Sequence, residues 1–339
     1  MGIRVVQWGT GAMGSGMIKM MINKRDIKLV GAIKHNNPEN HSDIGEYLNM
    51  GKIGVPVYTK PEDIIDSSKA DVVIQATKSF TKEVFEEIKF CLERKVNVIT
   101  IAEEMAYPYA QEPELAKKID AIAKANNVVC IGTGINPGFV LDTLIVTLTA
   151  PCLRVDKIEA QRINDLSPFG KTVMETQGVG TTPEQFKKGL EDGSIVGHIG
   201  FPESIHLIAK ALNWEINKIV QTREPIISKV YRETPVVKVE PGMVAGCRHI
   251  GIGYDKNGNE KIKLVHPQQI HPHLENVDTG DYIQIYGDPE VKMAIQPEIP
   301  GGKGTMAMAV NIISQVVDSV KKGLLTMLDL KVPYSIPEK

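Results

Sequence analysis

The segment IRVVQWGTGAMGSGMIKMMINK, residues 3–24, begins as a β-branched apolar run, passes through a glycine-rich turn and becomes helical from about Ala12. Its glycines Gly9, Gly11 and Gly14 have the spacing GxGxxG. In a strand–turn–helix unit, Gly9 would make the tight turn, Gly11 would admit a pyrophosphate and Gly14 would let the helix pack closely. The helix N-terminus would then offer N–H groups to the phosphates. The segment predicts a dinucleotide-binding domain, with a purely structural turn as the alternative.

Strand-like and helix-like segments alternate through the rest of the first half. The predicted strands are 27–35, 71–77, 96–102 and 127–134, and the predicted helices are 81–95 and 112–126. Alternation with few hairpin signals is typical of a doubly wound parallel sheet with helices on both faces. We therefore predict an α/β, Rossmann-type domain over residues 1–145.

The alternation stops near Val155, and a different pattern follows. The second half contains a strand that ends in a polar loop at 155–170, helices at 181–193 and 201–214, long strands within 235–267 joined across DKNGNEK, and a strand at 280–287. An Asn- and Gly-rich turn between two strand-like runs predicts a hairpin. We predict an antiparallel, strand-rich α+β domain over 146–303 for substrate binding and dimerisation. A helix over 304–327 is expected to return to the first domain.

Composition excludes several classes of protein. The 339 residues carry a formal net charge of -2, which gives no argument for nucleic acid or a membrane surface. The four cysteines lie far apart, and no HExxH or carboxylate cluster is present, so we expect neither disulfides nor a metal. No apolar run approaches the roughly 18 residues of a membrane helix, and the first residues already resemble a strand, so we expect neither a membrane helix nor a signal peptide. The expected location is the cytoplasm.

The end of the second strand bears on which dinucleotide would bind. Sites for NAD usually have Asp or Glu there, whereas this chain has Lys34, His35, Asn36 and Asn37, with no acid before Glu39. A cation and amides accept a 2′-phosphate better than a carboxylate would, so NADP is expected to be accepted alongside NAD; Lys34 as an ordinary solvated lysine is the alternative. The predicted cofactor contacts are Gly9, Thr10, Gly11, Ala12, Met13, Gly14, Lys34, His35, Ala76, Thr77, Ala102, Gly134 and Asn311.

Two acids, Glu103 and Glu104, lie in ITIAEEMAYP (99–108), where a predicted interior strand ends. An unpaired buried carboxylate is costly. Adjacent residues of an extended chain point opposite ways, so one of the two should face the cleft expected between the domains and could act as a general acid or base. The alternative is that both are helix-start acids stabilised by the helix dipole. The pattern alone leaves this choice open.

Other polar residues are candidates for the same cleft. The loop GTGINPGF (132–139) ends a predicted parallel strand, although it would also serve as an ordinary Gly/Pro loop. Arg162 and Asn164 are two apart and so share one face of a strand, and an arginine there could bind a carboxylate through two hydrogen bonds. His198 and His266 are single histidines, and such residues are more often structural than functional.

The segments AEEMAYP, GTGINPGF, RINDLSPFG and GMVAGCRHIGIG resemble those of the 2,4-diaminopentanoate dehydrogenases and related native amine dehydrogenases, over essentially the whole chain. The N-terminal domain is also similar to that of dihydrodipicolinate reductase. The His-His and Lys-x-Asp-x-Pro-Ser-Gly-Thr signatures of that enzyme are missing here, so its reaction is not expected. The main resemblance implies reversible NAD(P)-dependent oxidative deamination of 2,4-diaminopentanoate at C4, giving 2-amino-4-oxopentanoate and ammonia in ornithine degradation. It also implies a homodimer.

The resemblance further implies roles for individual residues. The catalytic glutamate of the family falls on the EE pair and is assigned to Glu104, with Glu103 as the alternative. Arg162 and His266 are expected to hold the substrate carboxylate. The predicted substrate contacts are Arg162, Asn164, Phe169, His198, His266 and Thr305, together with Asn136 of the glycine-rich loop. The alternatives are an amine dehydrogenase that acts on small ketones or amines without a carboxylate requirement, and a non-catalytic NAD(P)-binding sensor.

Overall fold

The computed structural model describes residues 2–36 and 42–338, and the chain divides into two units. The first unit comprises Met1–Phe139 with Gly301–Lys339, and the second comprises Val140–Pro300. Within the described ranges, none of the helices combines the length and the apolar character that crossing a bilayer requires.

The helices and strands follow the chain in three segments. The first contains β1 (Ile3–Trp8), α1 (Ala12–Met21), β2 (Ile27–Ile33), α2 (Ile44–Tyr47), β3 (Val57–Tyr58), β4 (Val72–Gln75), α3 (Thr81–Glu93), β5 (Asn97–Thr100), α4 (Pro113–Ala125) and β6 (Val129–Gly132). The second contains α5 (Thr143–Leu148), β7 (Arg154–Asp165), α6 (Lys171–Thr176), α7 (Pro183–Asp192), α8 (Phe201–Leu212), β8 (Lys218–Ile227), β9 (Arg232–Glu233), β10 (Lys238–Val239), β11 (Val244–Tyr254), β12 (Glu260–Gln269), β13 (Gly280–Asp288) and β14 (Val291–Ile295). The third contains α9 (Gly301–Asn311), α10 (Ile313–Val317) and β15 (Gly323–Leu325).

The sheet of the first unit is entirely parallel, with the strand order β15-β6-β5-β4-β1-β2-β3. Alternate residues of β1 pack into separate apolar clusters. Val5 joins the cluster that contains Met17 and Ile18 of α1, whereas Val6 joins the cluster that contains Ile88 of α3. Because both faces are covered, the interior strands carry consecutive buried apolar residues instead of an alternating pattern. The predicted doubly wound α/β fold is confirmed.

The predicted helix over 304–327 is wrong beyond its first half. Helices α9 and α10 end at Asn311 and Val317, and β15 then extends the sheet beside β6. Gly323 has φ +121°, a conformation that other residues avoid, and a Cβ there would lie 2.4 Å from Asp120 Oδ1. The polar segment before this glycine breaks the helix, and the two leucines after it are buried at the edge of the sheet.

The second unit contains a six-stranded sheet in the order β14-β13-β7-β12-β11-β8. Its neighbouring strands are antiparallel except β7 and β12, which are parallel, so the sheet is mixed and not purely antiparallel as expected. The predicted hairpin is present between β11 and β12, although β11 begins only at Val244. The helix predicted at 181–193 is α7, which begins with a capping box between Thr182 and Gln185.

Candidate functional site

The glycine turn of the first unit is held by backbone packing that excludes a side chain at two of its three glycines. Gly9 has φ +93°, and a Cβ there would lie 2.3 Å from the Ala76 carbonyl oxygen. A Cβ on Gly14 would lie 1.9 Å from the carbonyl oxygen of Gly9. These distances are far below contact distance, so Gly9 and Gly14 are required for the strand, turn and helix to pack as they do.

Gly11 is different, because packing within the protein does not explain why it is a glycine. A Cβ there would have no heavy atom of the described residues within 4 Å. Gly11 is the N-cap of α1, and the first turn of that helix, described in full, carries no acidic side chain. The space and the exposed helix N-terminus fit a pyrophosphate group bound by backbone N–H groups. Of the other predicted contacts, Thr10 lies in the turn, and Ala12 and Met13 are the first two residues of α1.

A cation is held at the end of β2. The Lys34 ammonium lies 4.0 Å from the centre of the Tyr47 ring, a cation–π distance. His35 and Asn36 follow it and are exposed. Asn37 and Glu39 lie outside the described residues. Lys34 is therefore positioned by an aromatic neighbour where the sequence predicts the adenosine ribose.

The loop after β4 is fixed by helix α3. Thr77 Oγ1 lies 2.6 Å from Glu87 Oε2 and donates to it, and Gln75 Nε2 donates to the same oxygen at 2.8 Å. The Oγ1 hydroxyl of Thr100 donates to the other end of the Gln75 amide at 2.5 Å. The polar network holds Ala76 and Thr77, both partly exposed, at the carboxyl edge of the sheet. This is the edge at which ligands bind in such sheets.

The two acids of the EE pair lie in a 3₁₀ helix, Glu103–Ala106, directly after β5. Glu104 is buried, and its Oε2 accepts a hydrogen bond of 2.8 Å from the backbone N–H of Thr81. Thr81 is the first residue of α3, whose N-cap residue Phe80 offers no capping side chain. Glu104 therefore satisfies an N–H group at the start of α3 from a distant part of the chain. Glu104 therefore has the position expected of an acid at the start of a helix, although the helix that it stabilises is α3 and not its own.

Glu103 has a different environment from its neighbour. It is half-buried, and burial raises the pKa of its carboxyl above the ordinary value. Hydrogen bonds from its own backbone N–H and from the Ser79 side chain oppose this change in pKa, and the charge of Glu104 adds to it. A partly exposed carboxyl with a raised pKa has the properties of a general acid or base. The sequence pattern did not distinguish the two glutamates, and their surroundings do.

The glycine-rich loop after β6 is tied to helix α9. A Cβ on Gly134 would lie 2.8 Å from the Pro137 carbonyl oxygen, and Thr305 Oγ1 accepts a hydrogen bond of 3.3 Å from the N–H of Ile135. The turn that contains Asn136 is thus hydrogen-bonded to Thr305, which the sequence also predicts as a substrate contact. Asn136 and Thr305 belong to the unit with the glycine turn.

Two predicted cofactor contacts have other tasks in the structure. The Asn311 side-chain oxygen accepts a hydrogen bond of 3.1 Å from the Ile336 N–H, so it anchors the C-terminal segment. Ala102 is buried in the core, and its N–H donates to Thr100 Oγ1 at 3.1 Å. The bond to Ile336 involves only the side-chain oxygen of Asn311, and the contacts of Asn311 and Ala102 with a cofactor are still predictions.

In the second unit, Asn164, His198 and His266 come together although they are far apart in sequence. The Asn164 side-chain oxygen and His266 Nε2 are 3.0 Å apart, and the rings of His266 and His198 are 4.8 Å apart. An amide oxygen only accepts, so His266 Nε2 carries the hydrogen. All three residues are buried. The contacts among these three buried polar side chains support a polar site in this unit.

His249 completes the group and was not identified from the sequence. It is fully buried, and its Nδ1 accepts a hydrogen bond of 3.0 Å from the His198 N–H. In the β11–β12 hairpin, His249 lies directly opposite His266. That register follows from the position of the DKNGNEK turn, so counting outward from the turn would have placed His249 opposite His266 from the sequence alone. The Nε2 atoms of His198 and His249 have no hydrogen-bond partner among the residues that the structure describes.

Burial keeps these imidazoles neutral. It lowers the pKa of His198 and His266 well below the usual value, and the neighbouring positive charge of Arg162 acts in the same direction. Burial, with a further contribution from Arg223, lowers the pKa of His249 to about 3. Neutral imidazoles can each donate and accept one hydrogen bond. The cluster can therefore orient a polar ligand, but it cannot supply charge near neutral pH.

The structure gives Arg162 partners that the sequence did not predict. The residue is 2% exposed, its Nη1 lies 2.5 Å from Asp281 Oδ1, and its Nη2 donates to the Ile299 carbonyl oxygen at 2.5 Å. Asp281 lies directly opposite Arg162 in the pairing of β7 with β13. The guanidinium thus already has a carboxylate partner within its own unit and is not a free clamp for a substrate carboxylate. Its role as a substrate contact is still a prediction.

Phe169 lies elsewhere in the same unit. It is partly buried and packs against an apolar cluster that includes Leu166, Met174 and Val179. The structure therefore places it beside a small apolar core, and its predicted contact with substrate is still a prediction.

Comparisons with known proteins add the following findings. Residues 139–339 match the family model for the 2,4-diaminopentanoate dehydrogenase C-terminal domain, and residues 3–130 match that for the dihydrodipicolinate reductase N-terminus. A 2,4-diaminopentanoate dehydrogenase of Acetoanaerobium sticklandii is 46% identical, over 98% of this chain and 95% of that protein. An amine dehydrogenase of Streptomyces virginiae is 22% identical over 97% of this chain and 96% of that protein.

A solved structure has the same fold. The amine dehydrogenase from Mycobacterium smegmatis superposes with a TM-score of 0.83, covering 99% of this chain and 97% of that one. Its sequence identity is 23%, so the likeness speaks for the fold alone.

The buried imidazoles predict that stability falls in mild acid. An unfolded histidine binds a proton near its ordinary pKa of about 6.5, whereas His198, His249 and His266 do not do so in the folded chain. The unfolded chain then binds more protons, so each of them lowers the free energy of unfolding by up to about 1.4 kcal/mol per pH unit below about 6.5. Urea unfolding across this pH range measures how steeply the free energy of unfolding changes with pH.

His249→Gln should make this dependence on pH less steep by up to about 1.4 kcal/mol per pH unit, the equivalent of one bound proton. His273→Gln, at an exposed position, should leave it unchanged. An unchanged slope in His249→Gln would contradict the assignment.

Proposed function

Because the chain belongs to the 2,4-diaminopentanoate dehydrogenase family, we propose that it oxidises 2,4-diaminopentanoate at C4, reversibly, to 2-amino-4-oxopentanoate and ammonia. The chain is a nicotinamide-dependent amine oxidoreductase. The observation that carries the more specific proposal is a carboxyl pair after β5, at the sheet edge that also bears the glycine turn. Ornithine breakdown is the process in which such a diamino acid would be consumed.

The reaction defines what the chain must supply. The C4–H bond breaks with both of its electrons, the C4 ammonium loses a proton, and water adds to the resulting C=N bond before ammonia leaves. A bound nicotinamide cofactor supplies the acceptor for the hydride. The protein must provide a group that takes one proton and returns another, which is work for a carboxyl or an imidazole.

A carboxyl of the EE pair is the proposed proton carrier. Glu104 is the residue proposed as the base, and its bond to the Thr81 N–H uses one of its two oxygens. Glu103 is the alternative, and its raised pKa supports it as a proton donor. The buried histidines are less suitable, because their lowered pKa values disfavour the protonated form. The resulting sequence of events is deprotonation of the C4 ammonium, activation of water and protonation of the leaving amine.

For the cofactor, we propose that NADP is accepted alongside NAD. Lys34 supports this, because its ammonium is held over Tyr47 at the end of β2. A positive charge there favours a 2′-phosphate, and the acid that usually binds the ribose hydroxyls of NAD is missing at these positions.

A second candidate function is amine oxidation without a carboxylate requirement. It is favoured by the Arg162–Asp281 ion pair, which gives the predicted carboxylate clamp an internal partner. If Arg162 does not bind a substrate carboxylate, an amine that has no carboxylate loses no contact that the reaction needs.

The substrate proposal is tested by NAD(P)H formation from 2,4-diaminopentanoate, ornithine and 2-aminopentane under the same conditions. We expect the largest kcat/KM for 2,4-diaminopentanoate, because it alone places an amine at C4 of an amino acid with a five-carbon chain. Equal kcat/KM values for 2-aminopentane would support the second candidate. Absence of turnover with every amine would contradict both.

The glutamates are separated by Glu104→Gln and Glu103→Gln. Glutamine keeps an oxygen that can accept from the Thr81 N–H, so Glu104→Gln should stay folded and keep cofactor affinity. Its kcat should fall by about 10²–10⁴-fold, the usual contribution of a positioned proton carrier, with a smaller loss in Glu103→Gln. Steady-state kinetics and cofactor titration are the measurements. The reverse order would transfer the role to Glu103, and near-normal kcat in both variants would refute a carboxyl as the carrier.

The cofactor proposal is tested by Lys34→Glu. Loss of a charged contact to a 2′-phosphate should raise the KM for NADP by about tenfold or more, while the KM for NAD changes little. Lys117→Glu, a charge reversal on the exposed face of α4, is the matched control. Equal changes in the two KM values would show that Lys34 does not contact the 2′-phosphate.

A further inference from the structure

The end of β7 and the turn after β12 bring together an acid and two histidines that the reaction above does not use. One carboxylate oxygen of Asp165 and one ring nitrogen each of His271 and His273 lie within 4.8 Å of one another. Asp165 and His271 are half-buried and His273 is exposed. We propose that these three side chains bind a divalent transition-metal ion of the zinc type.

The ring of His271 is held as metal-binding imidazoles commonly are. Its Nε2 lies 2.8 Å from the backbone carbonyl oxygen of Glu233. A carbonyl oxygen only accepts, so Nε2 carries the hydrogen and Nδ1 carries the lone pair. A hydrogen bond from the second ring nitrogen to a carbonyl selects the tautomer, orients the ring and raises its basicity as a ligand. The bond to Glu233 therefore leaves Nδ1 as the nitrogen of His271 that can bind a metal ion.

The carboxylate of Asp165 is fixed in a similar way. Its Oδ1 accepts hydrogen bonds from the Ser167 N–H at 2.7 Å, from Ser167 Oγ at 2.5 Å and from the His271 N–H at 3.1 Å. All three bonds are made at Oδ1. They stabilise the ionised form, and the third holds the backbone of His271 beside the acid.

The nearby charges do not oppose a cation. The guanidinium of Arg232 donates to the carbonyl oxygen of His271 at 3.3 Å, and it is paired with the carboxylate of Glu275. Its positive charge is therefore balanced before an ion binds, and the cluster adds the negative charge of Asp165.

The donor set selects the class of metal. Two imidazole nitrogens and one carboxylate oxygen suit zinc and its neighbours in the first transition series, whereas calcium and magnesium prefer oxygen ligands. Three protein ligands leave a fourth position for water, as in open zinc sites. Asp165 and His271 are 106 positions apart in the chain, which explains why the sequence shows no metal-binding motif: the ligands meet only because β7 and β12 are paired.

The test uses the untagged full-length chain after dialysis against a chelator. Zinc binding is measured by calorimetry, and cobalt binding by its visible absorption, which reports direct coordination. We expect saturable binding at one site and a higher Tm with zinc. His273→Gln should raise the zinc Kd by at least about tenfold and remove the zinc-dependent rise in Tm. Because His273 is exposed, the Tm of the metal-free variant should be that of the metal-free parent.

His271→Gln and Asp165→Asn should weaken zinc binding in the same way, and His206→Gln, on α8, is the control for loss of a histidine elsewhere. The proposal is overturned if the parent shows no saturable binding. It is also overturned if His273→Gln binds zinc as tightly as the parent does. Turnover with amines is measured separately, so loss of the metal site and failure of the proposed reaction give different results.

Discussion

The first unit depends on one close approach of backbone to backbone. Gly14 packs against the carbonyl group of Gly9, and Gly9 packs against that of Ala76. No residue with a Cβ fits at either position, and the result is that helix α1 begins directly beyond the end of β1 with its N-terminus exposed. The remaining parts of the predicted nucleotide site are then positioned by the parallel sheet, which brings the ends of β2, β4, β5 and β6 to the same edge.

The two adjacent acids have different surroundings in the structure. A 3₁₀ turn after β5 sends the carboxylate of Glu104 to the start of α3, where a backbone N–H lacks a partner from its own helix. The same turn leaves Glu103 half-buried, where desolvation raises its pKa. The helix-start interpretation and the acid–base interpretation are therefore compatible. A carboxylate bound to a helix N-terminus is also well oriented, and good orientation is what a proton carrier needs.

In the second unit the controlling constraint is strand register. Arg162 has Asp281 directly opposite on the neighbouring strand, and His249 has His266 opposite. Burying a guanidinium without a partner would be prohibitively costly, so the ion pair is a condition for placing Arg162 inside the unit. The imidazoles need no partner of this kind, because burial keeps them neutral. The cluster of Asp165, His271 and His273 also depends on β7 pairing with β12.

The sequence by itself determined the doubly wound fold and the glycine turn, because these are local patterns whose meaning depends on spacing along the chain. It also contained the segments by which the chain resembles its family. The tertiary structure alone decided which glutamate caps α3, that Arg162 is paired with Asp281, that His249 joins His198 and His266, and that the chain returns to the sheet as β15. Each of these facts is a contact between residues far apart in sequence. Local periodicity carries no information about strand register or about which carboxylate pairs with a buried arginine. The protonation and hydrogen bonding of the buried groups therefore follow only from the pairing of the strands.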